Sequence, residues 1–574
     1  MNFLANSGVS LPPGHRVMTF CNAPQANIQV DLGTEDFAAV LRKLPDDFSP
    51  DAVLIFSPMY LPIPHGIEDS PYPVFAIVSD WNLGYFQLRE NLKRFDHIFA
   101  DKAGVKVLKK LGYANVDYWP MFGHNVRKNF KMLGVDKKYD IGFAGNINHA
   151  IHKERSQWLY RLTQLPDHLS VRIANGIFNE EYNRFLNECR ITFNRSIRGE
   201  MNMRAYEAAA SGSLLFIESS NLEIGDFLEP EREALLYDEI DFEDMVLKYV
   251  ENDALRVATV ERAREKISHY TGIKNAGVLV SKIQDIISGK AWGKREQWKA
   301  LPAYVRALEE GIQHILASDG KSTSGFAVKS LLAAAENSEE SHVSLNAIAV
   351  FYLISGLSAQ GRDKNDCLLK AENWLGKCLG KNPRFVPALF NKALLTEHLL
   401  GREQSIHGYL DAAAAAQGAI LFNDFDGYPV LPNTEEIFPL WHLNMYHYRL
   451  HGNLDHIKSL FAAHCFARAG ELLAGAGRLA EAGEALEKAA ELLPASYKVH
   501  FLLAQVYKSR DLDTAIECLK RSFRLHPFFT ETWYLLKELL QAAGRDGEWA
   551  DFRAAIARVC SRFDAYRDHA QKFS

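Results

Sequence analysis

The sequence predicts an α/β region followed by an all-α region, on three observations. Over residues 1 to about 290, short runs of β-branched and aromatic residues alternate with helical patterns, which is typical of βαβ units on a parallel sheet. From about residue 290 the strand pattern stops, and Ala, Leu, Lys and Glu predominate. Near the end of the chain a motif recurs every 33 or 34 residues, the period of tetratricopeptide (TPR) helical hairpins. We expect two similar α/β domains in tandem, followed by a TPR-like solenoid.

The first strands and helices divide into two series. The first series has strands at Arg16–Cys21, Ala52–Phe56, 74–79, His97–Ala100 and 116–119, and helices near 36–44, 83–95 and 102–111. The second has strands at 139–146, 169–174, Cys189–Phe193, Leu214–Glu218 and Leu235–Tyr237, and helices near 151–164, 179–187 and 202–211. The polar and basic segment 123–138 is the predicted linker between them. We therefore expect domains at 1–125 and 126–290.

The repeat motif lies in the last part of the helical region. Phe466, Ala469, Gly470, Leu473, Ala482, Leu486 and Pro494 are followed at this spacing by His500, Leu503, Ala504, Tyr507, Ala515, Leu519 and Pro527. Small residues let two antiparallel helices approach, and proline ends the second. We expect a helical linker at 291–340 and the TPR-like domain at 341–574, with an insertion near 418–445 where the period breaks.

Composition excludes several classes of protein. The 574 residues exceed what a single core supports, and a net charge of -6 gives no general attraction to nucleic acid or anionic lipid. No apolar run is long enough to cross a bilayer, and the start has no basic and apolar leader, so a cytoplasmic location is predicted. The 7 cysteines are widely spaced without a CxxC pair, which indicates reduced core thiols and no metal site.

One segment, 194–218, carries the strongest functional pattern. It reads as a polar loop, a short helix that ends at Gly212, and a buried strand. Arg204 and Glu207 fall three residues apart, on one face of that helix near its start. An arginine beside a helix N-terminus suits a phosphate, and the carboxylate can accept hydrogen bonds from ribose hydroxyls. The alternative is a helix capped by charges that pack on a neighbouring loop.

A second pattern opens the second series of strands. The predicted strand at 139–146 runs into a turn with Gly145 and Asn146, and the following helix contains His152, Lys153 and Arg155. Glycine lets the backbone approach a diphosphate, and the basic side chains can neutralise it. On its own, a glycine turn after a strand has many structural explanations.

Together these segments resemble the CgeB-like branch of the GT-B glycosyltransferases, of the glycosyl transferase group 1 type. The likeness covers about residues 50 to 285, and its most specific part is Asn194 and Gly199 followed by Arg204 and Glu207. The resemblance implies two Rossmann-like domains facing a cleft, a nucleotide-diphosphate sugar as co-substrate, and neither metal nor other cofactor. It also implies that the second domain binds the donor and the first binds the acceptor.

Residue roles follow from the resemblance position by position. Glu207 resembles the glutamate that holds the ribose, whereas Arg204 and the Gly145-Asn146 turn resemble diphosphate contacts. Many retaining relatives have a second glutamate with seven residues between the two, but Glu200 precedes Glu207 with only six. Glu200 is therefore a candidate near the donor sugar, and a solvated loop carboxylate is the alternative.

Glycosyl transfer needs cations for the departing diphosphate and, if configuration inverts, a base for the acceptor hydroxyl. The cations available are Lys153, Arg155, Arg198 and Arg204. Asp80 follows a predicted strand of the first domain and is the preferred base, with His65 as its rival. Inversion and retention of configuration both remain open.

The helical repeats extend the hypothesis to a partner. A repeat array presents a concave surface, so we expect a protein or peptide acceptor, or a partner that delivers one. Self-association or scaffolding by the repeats is the alternative. A non-catalytic scaffold with a degenerate GT-B module is the rival to the enzyme, and a GT-B epimerase or phosphorylase is a third possibility. No nucleic-acid partner is expected.

Overall fold

The computed structural model describes residues 1–124, 130–149, 151–290, 292–293, 295–317, 325–338, 340–430 and 452–573. Residues 125–129 of the predicted linker and 431–445 of the predicted insertion lie outside the described residues. The chain forms two compact units. Unit 1 comprises residues 1–9, 15–98 and 290–525, and unit 2 comprises 10–14, 99–289 and 526–574.

The first sheet has seven strands in the order β3-β2-β1-β4-β5-β6-β7. Its strands are β1 Asn2–Ala5, β2 Arg16–Cys21, β3 Ile28–Gln29, β4 Ala52–Phe56, β5 Val74–Val78, β6 His97–Ala100 and β7 Val116–Tyr118. Its helices are α1 Phe37–Arg42, α2 Trp81–Leu88 and α3 Lys102–Lys110. The pairs among β1 to β5 are parallel, and the strand order reverses between β1 and β4. This order is that of a Rossmann-like sheet.

The structure corrects the expected helix at 83–95. Helix α2 ends at Leu88, and a separate 3-10 turn covers Glu90–Arg94. Between them the backbone of Arg89 leaves the helical region, with φ -22° and ψ -105°. The Arg89 side chain binds Glu309 and Asp426, so tertiary ion pairs act at the point where the helix stops.

The second sheet has five strands in the order β12-β11-β10-β8-β9, all parallel. Its strands are β8 Tyr139–Ala144, β9 Val171–Ala174, β10 Cys189–Phe193, β11 Leu214–Glu218 and β12 Leu235–Tyr237. Its helices are α4 Lys153–Thr163, α5 Asn179–Glu188, α6 Met203–Ala210, α7 Ile224–Phe227, α8 Phe242–Glu251, α9 Asp253–Ile267 and α10 Gly272–Ser288. The strand order reverses between β8 and β10, which places a crevice at their carboxyl ends.

The remaining described chain is helical, which confirms the predicted α/β fold followed by an all-α region. Helices of unit 1 span Glu296–Lys299, Ala303–Ala317, Gly325–Glu336, Ser341–Ser358, Gly361–Lys381, Val386–Leu399, Arg402–Gln417, Leu454–Gly475, Leu479–Leu492, Tyr497–Tyr507 and Leu512–Leu525. Thr530–Ala542, Asp546–Arg562 and Ala570–Phe573 belong to unit 2. Small residues close the helical hairpins, since a Cβ at Gly470 would lie 2.6 Å from Leu486 Cγ.

The C-terminal helices of unit 2 pack on its sheet. The buried Arg562 guanidinium donates hydrogen bonds to the carbonyl oxygens of Thr163, Leu165 and Leu169 at the end of α4. Phe563 forms a parallel bridge with Ile173 of β9. Residues 526–573 are therefore part of the structural environment of the second sheet.

One helix of unit 1, Ser341–Ser358, passes a length and hydropathy test for a membrane span, with a mean hydropathy of 1.3. Of this helix, 67% is buried inside the protein. A core helix of a folded protein has the same composition, so this is weak support for a span.

Candidate functional site

Two loops meet at the reversal of strand order in the second sheet. The loop 145–152 follows β8, and the loop 194–202 follows β10. Ile141 of β8 lies opposite Ile191 of β10 in a parallel register, so both loops leave the same edge of the sheet. The sequence-predicted residues Gly145, Asn146 and Asn194 therefore lie in the crevice where α/β sheets bind ligands.

Arg204 of helix α6 reaches back to the end of β8. Its Nε and Nη2 donate hydrogen bonds to the carbonyl oxygen of Ala144, at 3.0 and 2.7 Å. Its Nη1 donates to Oδ1 of the buried Asn194 at 2.7 Å. A Cβ at position 145 would collide with this guanidinium, so the close approach requires Gly145. The position of the Arg204 side chain thus depends on the glycine turn after β8.

Arg155 of helix α4 lies beside Arg204. It donates to the carbonyl oxygens of Asn146 and Arg195, at 2.9 and 2.7 Å, and joins the two loops. The ring of Phe143 has both guanidinium groups nearby, with Arg204 at 4.4 Å and Arg155 at 5.7 Å from its centre. Burial and the charge of Arg204 lower the pKa of Arg155 to about 9, against smaller opposite effects of Glu200 and Glu218.

The two arginines have acceptors for hydrogen bonds but no carboxylate of their own. Within the residues that the structure describes, neither Arg155 nor Arg204 forms an ion pair, and Arg155 Nε and Asn194 Nδ2 have no hydrogen-bond acceptor. Adjacent like charges are costly in a buried site unless an anion joins them. The arrangement is therefore suited to an anionic ligand.

Other groups on the loop 145–152 and at the start of α4 share this positive environment. Burial, with the charges of Arg155 and Arg204, lowers the pKa of His152 to about 3. Burial also lowers the pKa of Lys153, the first residue of α4. The overall protein is acidic, so the positive potential is local to these loops.

Glu207 lies one turn after Arg204 on α6, and its side chain is buried with 5% of its surface exposed. Tyr182 of α5 lies beside both residues. Burial raises the pKa of Tyr182; Arg204 opposes this effect and Glu207 adds to it. The sequence contains no pattern that pointed to Tyr182, because α5 brings it to α6 only in the folded chain.

Arg198 and Glu200 have partners within the loop 194–202 and near it. Arg198 Nε donates to Oδ2 of Asp101 at 2.8 Å, and both side chains are less than one tenth exposed. The Glu200 carboxylate accepts hydrogen bonds from the backbone N–H groups of Ile197 and Arg198, at 3.3 and 2.8 Å. A cavity of about 10 Å³ between Arg198, Glu200 and Glu223 has room for about one water molecule.

The two base candidates lie in unit 1. Asp80 precedes α2 and accepts a hydrogen bond from the Tyr60 hydroxyl at 3.1 Å. His65 Nδ1 is 2.7 Å from Oε1 of Glu310, and its ring stacks on Phe326 with 4.6 Å between centres. The hydrogen bond to Glu310 raises the pKa of His65.

Metal ligands do not cluster in the described ranges. Among these residues, no group of three or more His, Cys, Asp or Glu side chains is placed to hold a metal ion.

Comparison with known proteins finds a family match within unit 2. Residues 130–277, all within unit 2, match the family model described as glycosyl transferase-like. This part of the chain is therefore similar to a glycosyltransferase domain. No curated protein matches the sequence. Solved chains that match include one titled "Crystal Structure of TarM", which is 12% identical with a TM-score of 0.30, over 40% of this chain and 54% of that chain. The match spans about half the length of that chain.

Proposed function

We propose that the protein is a GT-B glycosyltransferase that transfers a sugar from a nucleotide-diphosphate sugar to an acceptor hydroxyl. The observation that carries this proposal is the Arg155 and Arg204 pair at the end of β8: Arg155 is buried, Arg204 is partly buried, and neither has a carboxylate counter-ion among the described residues. A diphosphate supplies the missing negative charge, and such a site stabilises the further negative charge that the diphosphate gains as the bond between its oxygen and the anomeric carbon breaks. The glycosyltransferase-like match over residues 130–277 supports the reaction class.

In this proposal the donor lies across the carboxyl ends of β8 and β10. Arg155, Arg204, Lys153 and the Gly145-Asn146 turn bind the diphosphate, while Asn194 holds Arg204 in place. Glu207 binds the ribose hydroxyls, in accordance with its resemblance to the glutamate of CgeB-like enzymes. Arg198 and Glu200 shape the loop 194–202 through Asp101 and two backbone N–H groups. Because arginine charges serve the diphosphate, the reaction requires no metal ion.

His65 is the better base for an inverting reaction. Its Nδ1 faces Glu310, which orients the imidazole and leaves Nε2 for the acceptor hydroxyl, and 40% of its side chain is exposed. The buried Glu310 is itself held by Arg94 at 3.3 Å. Asp80, in contrast, accepts from Tyr60 at the start of α2.

The acceptor in this proposal is a protein or peptide that the TPR-like helices recognise in the cytoplasm. Helices Gly325–Glu336, Ser341–Ser358 and Gly361–Lys381 line a groove of about 890 Å³, within the range of ligand-binding sites. Leu332 lies in this groove, whereas Leu369 is 55% exposed outside it. Leu332→Asp is expected to reduce transfer to a protein acceptor without reducing donor hydrolysis, and Leu369→Asp is the control. Equal transfer by both variants would contradict this role.

The donor site is tested by a thermal-shift panel of nucleoside diphosphates. A ligand at 100 times its dissociation constant stabilises a protein by about 2.7 kcal/mol. Glu207→Gln, which preserves the shape of the side chain, is expected to abolish the response without unfolding the protein. Glu181→Gln, at an exposed position on α5, is the matched control. Unchanged affinity in Glu207→Gln would remove Glu207 from the donor site.

Two other outcomes separate the rival classes. No response of the unaltered chain to any nucleotide would favour a non-catalytic scaffold. Nucleotide binding with an epimerised sugar or a sugar phosphate as product would favour a GT-B epimerase or phosphorylase.

A further inference from the structure

A histidine of the C-terminal segment lies against the loop of the proposed diphosphate site. The rings of His526 and His149 are stacked with 3.8 Å between their centres and 13° between their planes. His149 belongs to the loop 145–152, four residues after Gly145. Burial is the main cause that lowers the pKa of His149 to about 4 and that of His526 to about 2, so both rings are neutral near pH 7 and stack without charge repulsion.

The segment that carries His526 is anchored to the helix that follows this loop. Phe528 contacts Tyr160 of α4 edge to face, with 6.3 Å between ring centres. About one turn further along the chain, at the C-terminus of α4, Arg562 binds the carbonyl oxygens of Thr163 and Leu165. Residues 526–562 therefore contact α4 near its C-terminal end, and His526 contacts the loop that precedes its N-terminal end.

Hydrogen bonds of described residues join parts of the loop to one another and to α4. The Asn148 N–H donates to Asn146 Oδ1 at 2.9 Å, and the His152 N–H donates to the Asn148 carbonyl at 2.9 Å. Arg155 adds a bond to the Asn146 carbonyl. A loop that is ordered before the ligand arrives binds more tightly, because the ordering cost is not deducted from the affinity.

We propose that His526 is a positioning residue for the donor site: by stacking on His149 it holds residues 145–149 of the loop in the conformation that receives the diphosphate. The proposal rests on the proposed function. It makes donor affinity depend on the C-terminal segment, which lies more than 370 residues along the chain from that loop. His526 does not touch the reacting atoms, so its effect falls on donor binding and not on the chemical step.

The test uses the full-length chain with UDP, GDP, ADP and dTDP as separate probes in titration calorimetry. His526→Ala is expected to weaken binding of the preferred nucleotide about three- to ten-fold, the scale of an aromatic contact. His526→Phe, which keeps a flat ring, is expected to restore affinity to within about two-fold. Arg558→Ala is the control, because Arg558 lies in the same C-terminal segment as His526 and its substitution removes an exposed ion pair with Asp167. Steady-state kinetics should show a higher donor KM with little change in kcat.

Hydrogen exchange of the ligand-free protein separates this proposal from the proposed function. Amides of residues 145–152 are expected to exchange faster in His526→Ala than in the unaltered chain or in His526→Phe. If no nucleotide binds the unaltered chain, the proposed function fails, but faster exchange still supports the contact. Unchanged exchange, or a His526→Phe variant as impaired as His526→Ala, would overturn the positioning role. His526→Leu replaces His526→Ala if the latter does not fold.

Discussion

Replacement by methionine should affect folding stability more at Arg198 and donor affinity more at Arg204. The Arg198 guanidinium faces the carboxylate of Asp101, and the two side chains are 7% and 6% exposed. Arg198→Met leaves that carboxylate buried without this cation, which costs about 3–5 kcal/mol of folding free energy. Arg204→Met leaves no carboxylate behind, because Arg204 donates to the Ala144 carbonyl and the Asn194 amide. It should cost only about 1–3 kcal/mol of stability.

Donor affinity should show the reverse order. Loss of one charge-assisted hydrogen bond to the diphosphate is worth about 1.5–3 kcal/mol, so Arg204→Met should weaken nucleotide binding about 10- to 150-fold. Arg198→Met, measured at a temperature where it is folded, should bind within about three-fold of the unaltered chain, since loop geometry and not a ligand contact is lost.

A double-mutant cycle makes the test decisive. Thermal denaturation measures stability, and titration calorimetry with the preferred nucleoside diphosphate measures affinity. Asp101→Asn should recover more than half of the stability lost in Arg198→Met, because it removes the unpaired charge. No recovery would refute the buried ion pair as the reason for the loss. Near-normal nucleotide affinity in Arg204→Met would refute the assignment of the uncompensated cations to a diphosphate.

Two more predictions concern unit 1. Glu310→Gln should lower the pKa of His65, observed by NMR of its ring protons, because the carboxylate that raises this pKa is lost. In the unaltered chain, the stability that this pair contributes is full below the unfolded pKa of histidine, near 6.5, and falls as the pH rises through the folded pKa. An unchanged His65 titration in Glu310→Gln would contradict this prediction. Gly470→Ala should lower the free energy of unfolding by about 1–3 kcal/mol, measured by thermal denaturation, because its Cβ would lie 2.6 Å from Leu486 Cγ. Gly475→Ala, with open space around its Cβ, is the control and should not be destabilised.

Much of the fold could be predicted because hydrophobic period and turn residues act locally. Strands such as Ala52–Phe56 and Cys189–Phe193 are continuous apolar or alternating runs, and their observed bounds equal the predicted ones. The strands Asn2–Ala5 and Ile28–Gln29 were missed, because four and two residues carry too little pattern. Yet Asn2–Ala5 lies at the reversal of strand order, where its buried side chains depend on both neighbouring strands.

The candidate site likewise combines features that a local sequence pattern indicates with contacts that form only in the folded chain. Arg204 and Glu207 could be proposed from the sequence as neighbours because both lie on one short helix, where three residues correspond to nearly one turn. Arg198 has the same residue type and a similar position in the motif, but only the fold shows that it faces Asp101, almost a hundred residues earlier. The charge state of a site depends on such distant partners, which a local pattern does not contain.

By itself, the sequence determined the two α/β series, the change to helices near residue 290, and the helix that carries Arg204 and Glu207. These are properties of neighbouring residues, so periodicity and turn chemistry express them directly. Only the tertiary structure decided that Arg155 and Arg204 lie near one aromatic ring with no ion pair to a carboxylate in the described part of the chain, and that His526 reaches the loop after β8. Those contacts join residues far apart in the chain, and packing of the whole unit is what brings them together.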